Sequence, residues 1–398
     1  MQDTPKANRL HIAIFGRRNA GKSSLINAIT GQEIALVSNV AGTTTDPVYK
    51  TMELLPLGPV VLIDTAGLDD SGEIGELRVK KTKEVMDKTD LAILLFTSND
   101  SDFSLEKEWY SELIQRNIPV IGVINKIDEL ISETDQTSIL EETFDIPFVK
   151  VSAKDKTNIG KLKEAIQTYS PLDFERDTII GDIVKPKDIV ILVAPQDLQA
   201  PKGRLILPQV QVLRDLLDND TLALTVKDTE LEDMLAALTR KPDLVITDSQ
   251  VFEKVNKIIS RDIPLTSFSI LMARYKGDLD ILVKGARAIN DLKPGDKILI
   301  AEACTHHALK NDIGREKLPR WLNEKAGGNL DIKVMAGIDF PEDLSPYKLV
   351  LHCGGCMFNR KQFLTRLIRA SEQGVPITNY GIAIAELNGM LKRVIEVF

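Results

Sequence analysis

Gly16-Arg-Arg-Asn-Ala-Gly-Lys-Ser23 has the spacing G-x-x-x-x-G-K-S, and this stretch decides the fold of the first part of the chain. Residues 11–15 precede it as an apolar run that predicts a buried strand, and residues 24–29 follow it as the start of an apolar helix. Glycines between a strand and a helix let backbone amides wrap a phosphate group, and the helix N-terminus adds positive potential. We expect Lys22 to reach the β- and γ-phosphates of a nucleotide and Ser23 to bind Mg²⁺. The loop residues expected to contact the nucleotide are Gly16, Asn19, Ala20, Gly21, Lys22, Ser23 and Ser24.

Three further motifs each follow a predicted buried strand. They are Asp64-Thr-Ala-Gly67 after residues 60–63, Asn125-Lys126-Ile-Asp128 after residues 119–124, and Ser152-Ala153-Lys154 after residues 148–151. A carboxylate at a strand end beside the phosphate-binding loop suits the shell of a Mg²⁺ ion, usually through water. Asp64 and Gly67 are therefore candidate catalytic residues together with Lys22.

In this order, the motifs resemble those of small GTPases of the translation-factor type. The resemblance implies that the nucleotide is GTP or GDP rather than ATP. It also implies that Asp128 accepts hydrogen bonds from the guanine edge and that Asn125 and Lys126 brace the pocket. Ser152, Ala153 and Lys154 would complete the nucleotide site.

Gly42-Thr43-Thr44-Thr45-Asp46 lies where the first switch loop of such a GTPase is expected. One threonine should bind Mg²⁺ and sense the γ-phosphate; the resemblance favours Thr44, with Thr43 and Thr45 as alternatives. The stretch could also be an ordinary polar surface loop. Together with Asn19, it resembles the branch of GTPases that use K⁺, in which this asparagine contacts the ion.

Leu68 occupies the position at which Ras-like proteins carry a glutamine that orients the attacking water. Because an apolar side chain cannot orient water, we expect slow intrinsic hydrolysis that K⁺ stimulates. Asp69, Asp70 and Glu73 are candidate helpers, although each is also compatible with a solvated loop.

The middle of the chain alternates predicted strands at 188–193, 221–226 and 242–247 with predicted helices. This alternation indicates a small α/β domain with a parallel sheet. It contains no cysteine and no histidine, so it is either an interaction or dimerisation module or a plain spacer.

We predict an α/β protein of three domains, in which a P-loop GTPase with a mostly parallel sheet precedes two smaller parallel α/β units. The predicted boundaries are 1–170, 171–262 and 263–398.

All three cysteines belong to one divided motif, Cys304-Thr-His306 and His352-Cys353-Gly-Gly-Cys356. Each half follows a predicted buried strand, at residues 297–301 and 348–351. The carboxyl ends of parallel strands meet at one edge of a sheet, so we expect the two halves to form a single site. Thiolates and imidazoles in such a group typically hold a metal or an iron–sulfur cluster.

Three cysteines leave a four-iron cluster one ligand short, and an exchangeable fourth position suits a scaffold or carrier. The Gly-Gly pair would let backbone amides approach bridging sulfides. His306 and His352 are candidates for the fourth ligand or for supporting roles, and His307 is more simply a bystander. A structural zinc site and a redox disulfide between Cys353 and Cys356 are the alternatives.

The succession of P-loop GTPase, α/β domain and C-x-H…H-C-x-x-C motif resembles the HydF family, the GTPase maturases of [FeFe]-hydrogenase, over essentially the whole chain. The resemblance implies a [4Fe-4S] cluster and a homodimer formed through the middle domain. It also implies a scaffold that receives a diiron precursor from the radical-SAM maturases HydE and HydG and delivers it to the apo-hydrogenase.

The formal net charge of −8 argues against a nucleic-acid-binding protein, which needs a basic face. No apolar run is long enough for a membrane span, and the N-terminus lacks the apolar core of a signal peptide, so we expect a cytoplasmic protein.

Two other functions remain compatible with the motifs. One is a ribosome- or RNA-associated GTPase with a zinc domain, and the other is a redox-sensing GTPase.

Overall fold

The structure is a computed structural model, and it describes residues 6–31, 47–67, 73–100, 102–129, 136–171, 178–195, 205–303, 312–337 and 339–398. The chain forms two compact units, Met1–Phe174 and Glu175–Phe398. Within the described ranges, no helix has both the length and the apolar character that crossing a bilayer requires.

The first unit contains a six-stranded sheet in the order β2-β3-β1-β4-β5-β6, in which only the β2–β3 pair is antiparallel. Its strands are β1 Leu10–Gly16, β2 Val48–Leu54, β3 Gly58–Asp64, β4 Leu91–Thr97, β5 Val120–Asn125 and β6 Phe148–Lys150. Its helices are α1 Lys22–Thr30, α2 Glu73–Met86, α3 Ser104–Gln115, α4 Gln136–Thr143 and α5 Ile159–Tyr169.

Strand β1 is apolar throughout because both faces of the sheet are covered. Ile12 and Ile14 pack into the core that includes residues of α1 and α5, whereas Ala13 and Phe15 pack into the core on the other face. Successive side chains of a strand point to opposite faces, so a doubly covered parallel strand is a continuous apolar run. The sheet edge at the carboxyl end of β1 carries the phosphate-binding loop.

The second unit contains two four-stranded sheets, and every strand pair in both is parallel. The middle sheet, in the order β10-β9-β7-β8, has strands β7 Ile189–Val193, β8 Leu222–Val226, β9 Leu244–Thr247 and β10 Leu265–Ser267. Its helices are α6 Leu207–Asp218, α7 Leu231–Ala237, α8 Phe252–Ile258 and α9 Phe268–Lys276.

The C-terminal sheet has the order β12-β11-β13-β14. Its strands are β11 Lys297–Glu302, β12 Asp331–Ala336, β13 Leu349–His352 and β14 Ile377–Asn379. Its helices are α10 Leu279–Arg287, α11 Leu318–Ala326, α12 Arg360–Glu372, α13 Tyr380–Leu387 and α14 Leu391–Ile395. One continuous apolar core joins the two sheets, since Ile191 and Val245 belong to the same cluster as Ile300 and Leu351.

The predicted fold class is confirmed: a P-loop GTPase sheet is followed by two parallel α/β sheets. Two details differ from the sequence predictions. The third unit is predicted to begin at residue 263, whereas the strand near that position, β10, pairs with β9 in the middle sheet. Strand β12 was not predicted, because it is a half-exposed edge strand whose apolar residues are interrupted by Lys333.

The carboxyl edge of the middle sheet, where open α/β sheets usually bind ligands, is covered by the start of α13. A Cβ atom on Gly381 would lie 1.9 Å from Ser269 Oγ and 3.0 Å from Ser249 Oγ, so only glycine allows this approach. Ser249 and Ser269 hydrogen-bond to each other at 2.5 Å. The contact fixes the C-terminal sheet against the middle sheet.

Candidate functional site

The phosphate-binding loop contains two glycines that the surrounding structure requires. A Cβ atom on Gly16 would lie 2.8 Å from the backbone oxygen of Leu95. Gly21 has a φ of 94°, and a Cβ atom there would lie 2.4 Å from Asn125 Nδ2. Asn19 also has a positive φ, of 60°, a conformation that asparagine tolerates better than most residues. Glycine and asparagine therefore occupy the positions of the loop at which the close contacts and positive φ angles exclude most other residues.

Lys22 holds its ammonium against this loop rather than in solvent. Its Nζ donates to the carbonyl oxygens of Gly16 at 2.8 Å and Arg17 at 2.9 Å, and the residue is 8% exposed. A cation in this position lies beside the amides that are predicted to surround the phosphates. The ammonium is therefore already placed close to where we predict that it acts.

Ser23 and Asp64, which we predicted to share a Mg²⁺ site, are in direct contact. The Ser23 hydroxyl donates to Asp64 Oδ2 at 2.5 Å. Burial raises the pKa of Asp64, while the Ser23 hydrogen bond and the charge of Lys22 oppose the rise. The segment that ends at Gly67 is attached to β1, because Thr65 Oγ1 donates to the Ile14 carbonyl at 2.7 Å.

Asn125 connects the two loops that are predicted to enclose the nucleotide. Its Nδ2 donates to the Ala20 carbonyl at 2.9 Å, and its Oδ1 accepts from the Ala153 amide at 3.0 Å. The residue is 2% exposed, so one buried amide side chain forms a hydrogen bond with a backbone group of each loop. The bracing of a nucleotide pocket by Asn125, which the resemblance implies, stays a prediction.

Asp128 is held as an ionised carboxylate by neighbouring polar groups. The Ser152 hydroxyl donates to its Oδ1 at 2.7 Å, and this bond is the largest influence that lowers the pKa of Asp128. Lys154 Nζ lies 3.8 Å from Oδ2. Lys126 has a φ of 63°, and its carbonyl accepts from the Ser98 hydroxyl at 2.8 Å.

Sequence reasoning missed an ion pair that supports the phosphate-binding loop. Arg17 Nε donates to Glu106 Oε1 at 2.7 Å and its Nη2 donates to Oε2 at 3.0 Å. Glu106 is 1% exposed on α3, where it shares the buried face with Trp109 and Leu113. Glu106, Trp109 and Leu113 have the i, i+3, i+7 spacing of the buried face of a helix. An acidic residue on such a face needs a buried partner, and this is the sequence signal that could have revealed the ion pair.

Several predicted residues lie outside the described ranges. They are Thr43, Thr44, Thr45, Leu68, Asp69, Asp70, Cys304, His306 and His307. Glu73 begins α2, but its side chain is not described. The role of each of these residues stays a prediction.

Strand β13 brings the second half of the cysteine motif to the end of β11. His352 is paired in register with Ala301, and the Cys353 amide donates to the Ala301 carbonyl at 2.9 Å. The Ala303 amide donates to Cys353 Sγ at 3.0 Å. β11 and the loop after β13 therefore meet at one sheet edge, and Cys304, which follows Ala303 in the sequence, lies outside the described ranges.

His352 is the last residue of β13 and is completely buried. Its Nδ1 lies 2.7 Å from the Cys353 carbonyl and its Nε2 lies 3.0 Å from Arg366 Nη1. A carbonyl only accepts and a guanidinium only donates, so Nδ1 carries the proton and Nε2 accepts. Burial, followed by the charge of Arg366, lowers the pKa of His352 to about 3. In this arrangement each ring nitrogen has a hydrogen-bond partner within the protein.

Arg366, which the sequence analysis did not single out, is the buried partner of this histidine. Its guanidinium carbon lies 4.4 Å from the centroid of the Phe358 ring and 4.7 Å from that of Phe340. Its Nη2 donates to the Gly337 carbonyl at 3.1 Å. Two aromatic faces and two acceptors compensate a cation that is only 4% exposed.

Tyr380, at the start of α13, has a buried hydroxyl without a hydrogen-bond partner in the described part of the chain. A Cβ atom on Gly314 would lie 2.3 Å from this oxygen and 2.9 Å from Glu302 Oε1. Burial raises the pKa of Tyr380, and the negative charges of Cys353 and Glu302 raise it further. Tyr380 therefore stays a neutral hydroxyl close to the cysteine motif.

The ranges that the structure describes contain no group of three or more His, Cys, Asp or Glu side chains arranged for a metal ion. Cys353 is half-buried and Cys356 is exposed. The remaining members of the predicted cluster set, Cys304 and His306, belong to the residues outside those ranges.

Curated relatives match part of the chain. The tRNA modification GTPase MnmE of Acinetobacter baumannii is 32% identical over 222 residues, which is 53% of this chain and 47% of that protein. GTPase Der of Sulfurimonas denitrificans is 32% identical over 174 residues, which is 41% of this chain and 35% of that protein. The chain thus spans about half, or less, of the length of the curated relatives it matches.

Solved structures of GTPases match part of the fold of this chain. An Era variant of Aquifex aeolicus bound to GDP.AlF4- has a TM-score of 0.38 and 21% identity, and the match covers 62% of this chain and 97% of that one. NFeoB of S. thermophilus bound to GDP.AlF4- and K+ has a TM-score of 0.34 and 20% identity, and the match covers 40% of this chain and 62% of that one.

Three family models match successive parts of the chain. Residues 11–126 match the 50S ribosome-binding GTPase model, which agrees with the P-loop geometry of the first unit. Residues 179–277 match the hydrogen maturase F dimerization domain, and residues 280–397 match the hydrogen maturase F tetramerization domain. The last two belong to one family and together cover more than half of the chain, which therefore belongs to the hydrogen maturase F (HydF) family.

Proposed function

We propose that this protein is a GTPase that carries a [4Fe-4S] cluster and acts as a scaffold for the diiron unit of the [FeFe]-hydrogenase active site. The observation that carries the proposal is the contact between the Ala303 amide and Cys353 Sγ at 3.0 Å. It joins the end of β11, which leads into Cys304, to the loop that contains Cys353 and Cys356. Because the two adjacent strands end at one sheet edge, we infer that the three cysteines that follow them form a single cluster site.

The residues in the cysteine motif fit an iron–sulfur cluster. The amide-to-sulfur hydrogen bond is of the type that stabilises a thiolate ligand and tunes cluster potential. A Cβ atom on Gly354 would meet none of the described atoms within 4 Å. Cys304, Cys353 and Cys356 would be the protein ligands. When bound, such a cluster supplies one iron with an exchangeable position, to which a diiron fragment can attach.

His306 is the better of the two histidine candidates for the fourth position. The imidazole of His352 already donates to the Cys353 carbonyl and accepts from Arg366. To ligate iron it would have to leave a buried guanidinium without its acceptor, which is costly. We assign to His352 the supporting role, in which it orients the Cys353 backbone.

We propose that the residues of the GTPase motifs form the nucleotide site. The loop amides and Lys22 would bind the phosphates, and Ser23, Asp64 and Thr44 would hold Mg²⁺. Asn125, Lys126 and Asp128 would select guanine. Asn19 would contact K⁺. In this proposal the ion promotes hydrolysis in place of the water-orienting glutamine, whose position is occupied by Leu68. Hydrolysis breaks the bond between the γ-phosphorus and the β–γ bridging oxygen, and water supplies the incoming oxygen.

We interpret GTP as a timing signal for the scaffold. The γ-phosphate and Mg²⁺ order switch loops in GTPases, and hydrolysis releases them. A change in those loops would alter contacts with the maturases HydE and HydG, which supply the diiron precursor, or with the apo-hydrogenase, which accepts it. The match to dimerization and tetramerization domains supports self-association, and we place the homodimer contact in the middle domain of a three-domain chain (1–170, 171–262 and 263–398). We propose that the protein acts in the cytoplasm.

Anaerobic purification followed by iron, sulfide and zinc analysis tests this proposal. A brown protein with about four irons per chain, which a Cys356→Ser variant holds poorly, is the expected result. Stoichiometric zinc would favour the RNA-associated GTPase with a zinc domain. A metal-free protein with a Cys353–Cys356 disulfide would favour the redox-sensing GTPase.

A further inference from the structure

Lys276, the last residue of α9, directs its ammonium into the cysteine loop, which we define as residues 353–358. Its Nζ donates to the carbonyl oxygens of Gly355 at 3.2 Å, Cys356 at 3.3 Å and Phe358 at 2.9 Å. The residue is 4% exposed. Lysine is almost never so buried unless polar partners compensate its charge, and here three carbonyls do so.

The loop adopts a backbone that needs such a cation. Gly355 has a φ of 60°, and its carbonyl also accepts from the Phe358 amide at 3.0 Å. Three carbonyl dipoles of one short loop approach the same point, where their negative ends repel one another. A positive charge at that point turns the repulsion into attraction, so the loop conformation depends on the ammonium.

The end of α9 is itself held in place, so the position of the ammonium is well defined. Arg360, the first residue of α12, donates to the carbonyl of Tyr275 at 3.2 Å and to that of Gly277 at 3.4 Å. A Cβ atom on Gly277 would lie 2.6 Å from the Phe363 ring, so only glycine allows α9 and α12 to approach this closely. The same ring meets the imidazole of His352 edge-on at 4.9 Å.

We propose that Lys276 is a positioning residue for the cysteine loop and that its fixed charge favours the reduced form of a cluster bound there. The second part rests on the proposed function. Reduction places one electron from a chemical reductant on the cluster, and a nearby buried cation stabilises the added negative charge. Lys276 lies in the part of the chain that matches the dimerization domain, whereas the loop lies in the part that matches the tetramerization domain. The lysine thus links the two segments at the cysteine motif.

Hydrogen–deuterium exchange of the metal-free full-length protein tests the first part. Lys276→Met removes the charge and the donors, Lys276→Gln keeps a donor without the charge, and Lys276→Arg keeps the charge. Lys284→Met is the control, because Lys284 is an exposed lysine on α10 of the same unit. We expect the amides of residues 354–358 to exchange at least tenfold faster in Lys276→Met, and at the wild-type rate in Lys284→Met. Unchanged exchange in both neutral Lys276 variants would overturn the positioning role.

A redox titration of the reconstituted protein, followed by electron paramagnetic resonance, tests the second part. The midpoint potential should become more negative in Lys276→Met and Lys276→Gln, and should stay near the wild-type value in Lys276→Arg and Lys284→Met. Equal potentials in all five proteins would overturn the electrostatic role. If the wild-type protein binds no iron, the proposed function fails, and the exchange experiment still decides whether Lys276 holds the loop.

Discussion

Arg366 donates through Nη1 to Nε2 of His352 at 3.0 Å, and both side chains are buried. This pair explains the histidine of the H-C-x-x-C motif without assigning it to a metal. The guanidinium fixes the tautomer of the imidazole, and the imidazole then donates from Nδ1 to the Cys353 carbonyl. The path from helix α12 to the cysteine loop therefore consists of two consecutive hydrogen bonds.

Replacing Arg366 with methionine should destabilise the second unit. The change leaves the Nε2 atom of His352 and the Gly337 carbonyl without this donor and removes the cation from the Phe358 and Phe340 rings. Each buried polar group left without a partner costs about 1–3 kcal/mol. Urea unfolding followed by Trp321 fluorescence, in a Trp109→Phe background, reports on this unit alone.

The matched control for Arg366 is Arg369→Met. Arg369 lies on the same helix and its guanidinium carbon is 5.8 Å from the Phe340 centroid, whereas the hydrogen bond to His352 comes from Arg366. We expect a loss of less than about 1 kcal/mol for this partly exposed cation. Equal losses in the two variants would contradict the special role of Arg366.

The stability of the metal-free second unit should fall as the pH decreases below about 6.5. The pKa of His352 is lowered from 6.5 to about 3, so the folded state keeps the ring neutral while the unfolded state takes up a proton. The unfolded state then binds more protons, and stability falls with decreasing pH by up to about 1.4 kcal/mol per pH unit. The loss begins near pH 6.5 and ends near pH 3.

Urea unfolding with the Trp321 reporter between pH 7 and pH 5 measures this dependence. A His352→Gln variant, which can still donate and accept but does not titrate, should show a flatter profile over the same interval. If its profile has the same slope as that of the wild type, another group is responsible for the acid sensitivity.

Glu106→Gln should weaken nucleotide binding although Glu106 is not in the nucleotide pocket. The change removes the charge that holds Arg17 of the phosphate-binding loop in a two-point ion pair, with Nε–Oε1 at 2.7 Å. A hydrogen bond to a charged group contributes about 1.5–3 kcal/mol, and the partial exposure of Arg17 places the expected loss at the low end. We expect about tenfold weaker GDP affinity in a fluorescence titration. Glu108→Gln, an exposed acid on the same helix, should bind GDP as the wild type does.

The residues that sequence reasoning identified and those that it missed differ in a physical way. Ser23 and Asp64 each belong to a short motif directly after a strand, and parallel strands bring their carboxyl ends together, so their contact could be predicted. Arg366 and Lys276 lie on helices, where a charged residue usually faces solvent. Their partners come from other parts of the chain, and no local pattern shows that these two cations are buried.

The same distinction applies to His352. The motif places it beside Cys353, which favours a metal ligand as readily as a supporting residue. Its actual contacts depend on Arg366, which is 14 residues later on another element. The hydrogen bond between α12 and the end of β13 is what favours the supporting role in our proposal.

Hydrolysis of GTP should be faster in KCl than in NaCl at equal ionic strength. Leu68 cannot orient the attacking water, and Asn19, in the phosphate-binding loop with a φ of 60°, is the predicted contact for the ion. An Asn19→Ala variant should lose the difference between the two salts while it still binds GDP. Equal wild-type rates in the two salts, measured by phosphate release, would remove K⁺ from the proposal.

Variants that bind GTP but cannot hydrolyse it should fail to support maturation of hydrogenase. Asp64→Asn is suitable, because it keeps the size of the side chain and an acceptor for the Ser23 hydroxyl while it removes the charge predicted for the Mg²⁺ shell. The measurement is hydrogenase activity after incubation of the apo-hydrogenase with the variant and the two radical-SAM maturases. Iron content, measured on the same sample, should remain that of the wild type, because the cysteine motif is untouched. Normal maturation by a variant with no detectable GTP hydrolysis would show that the nucleotide switch and the scaffold work independently.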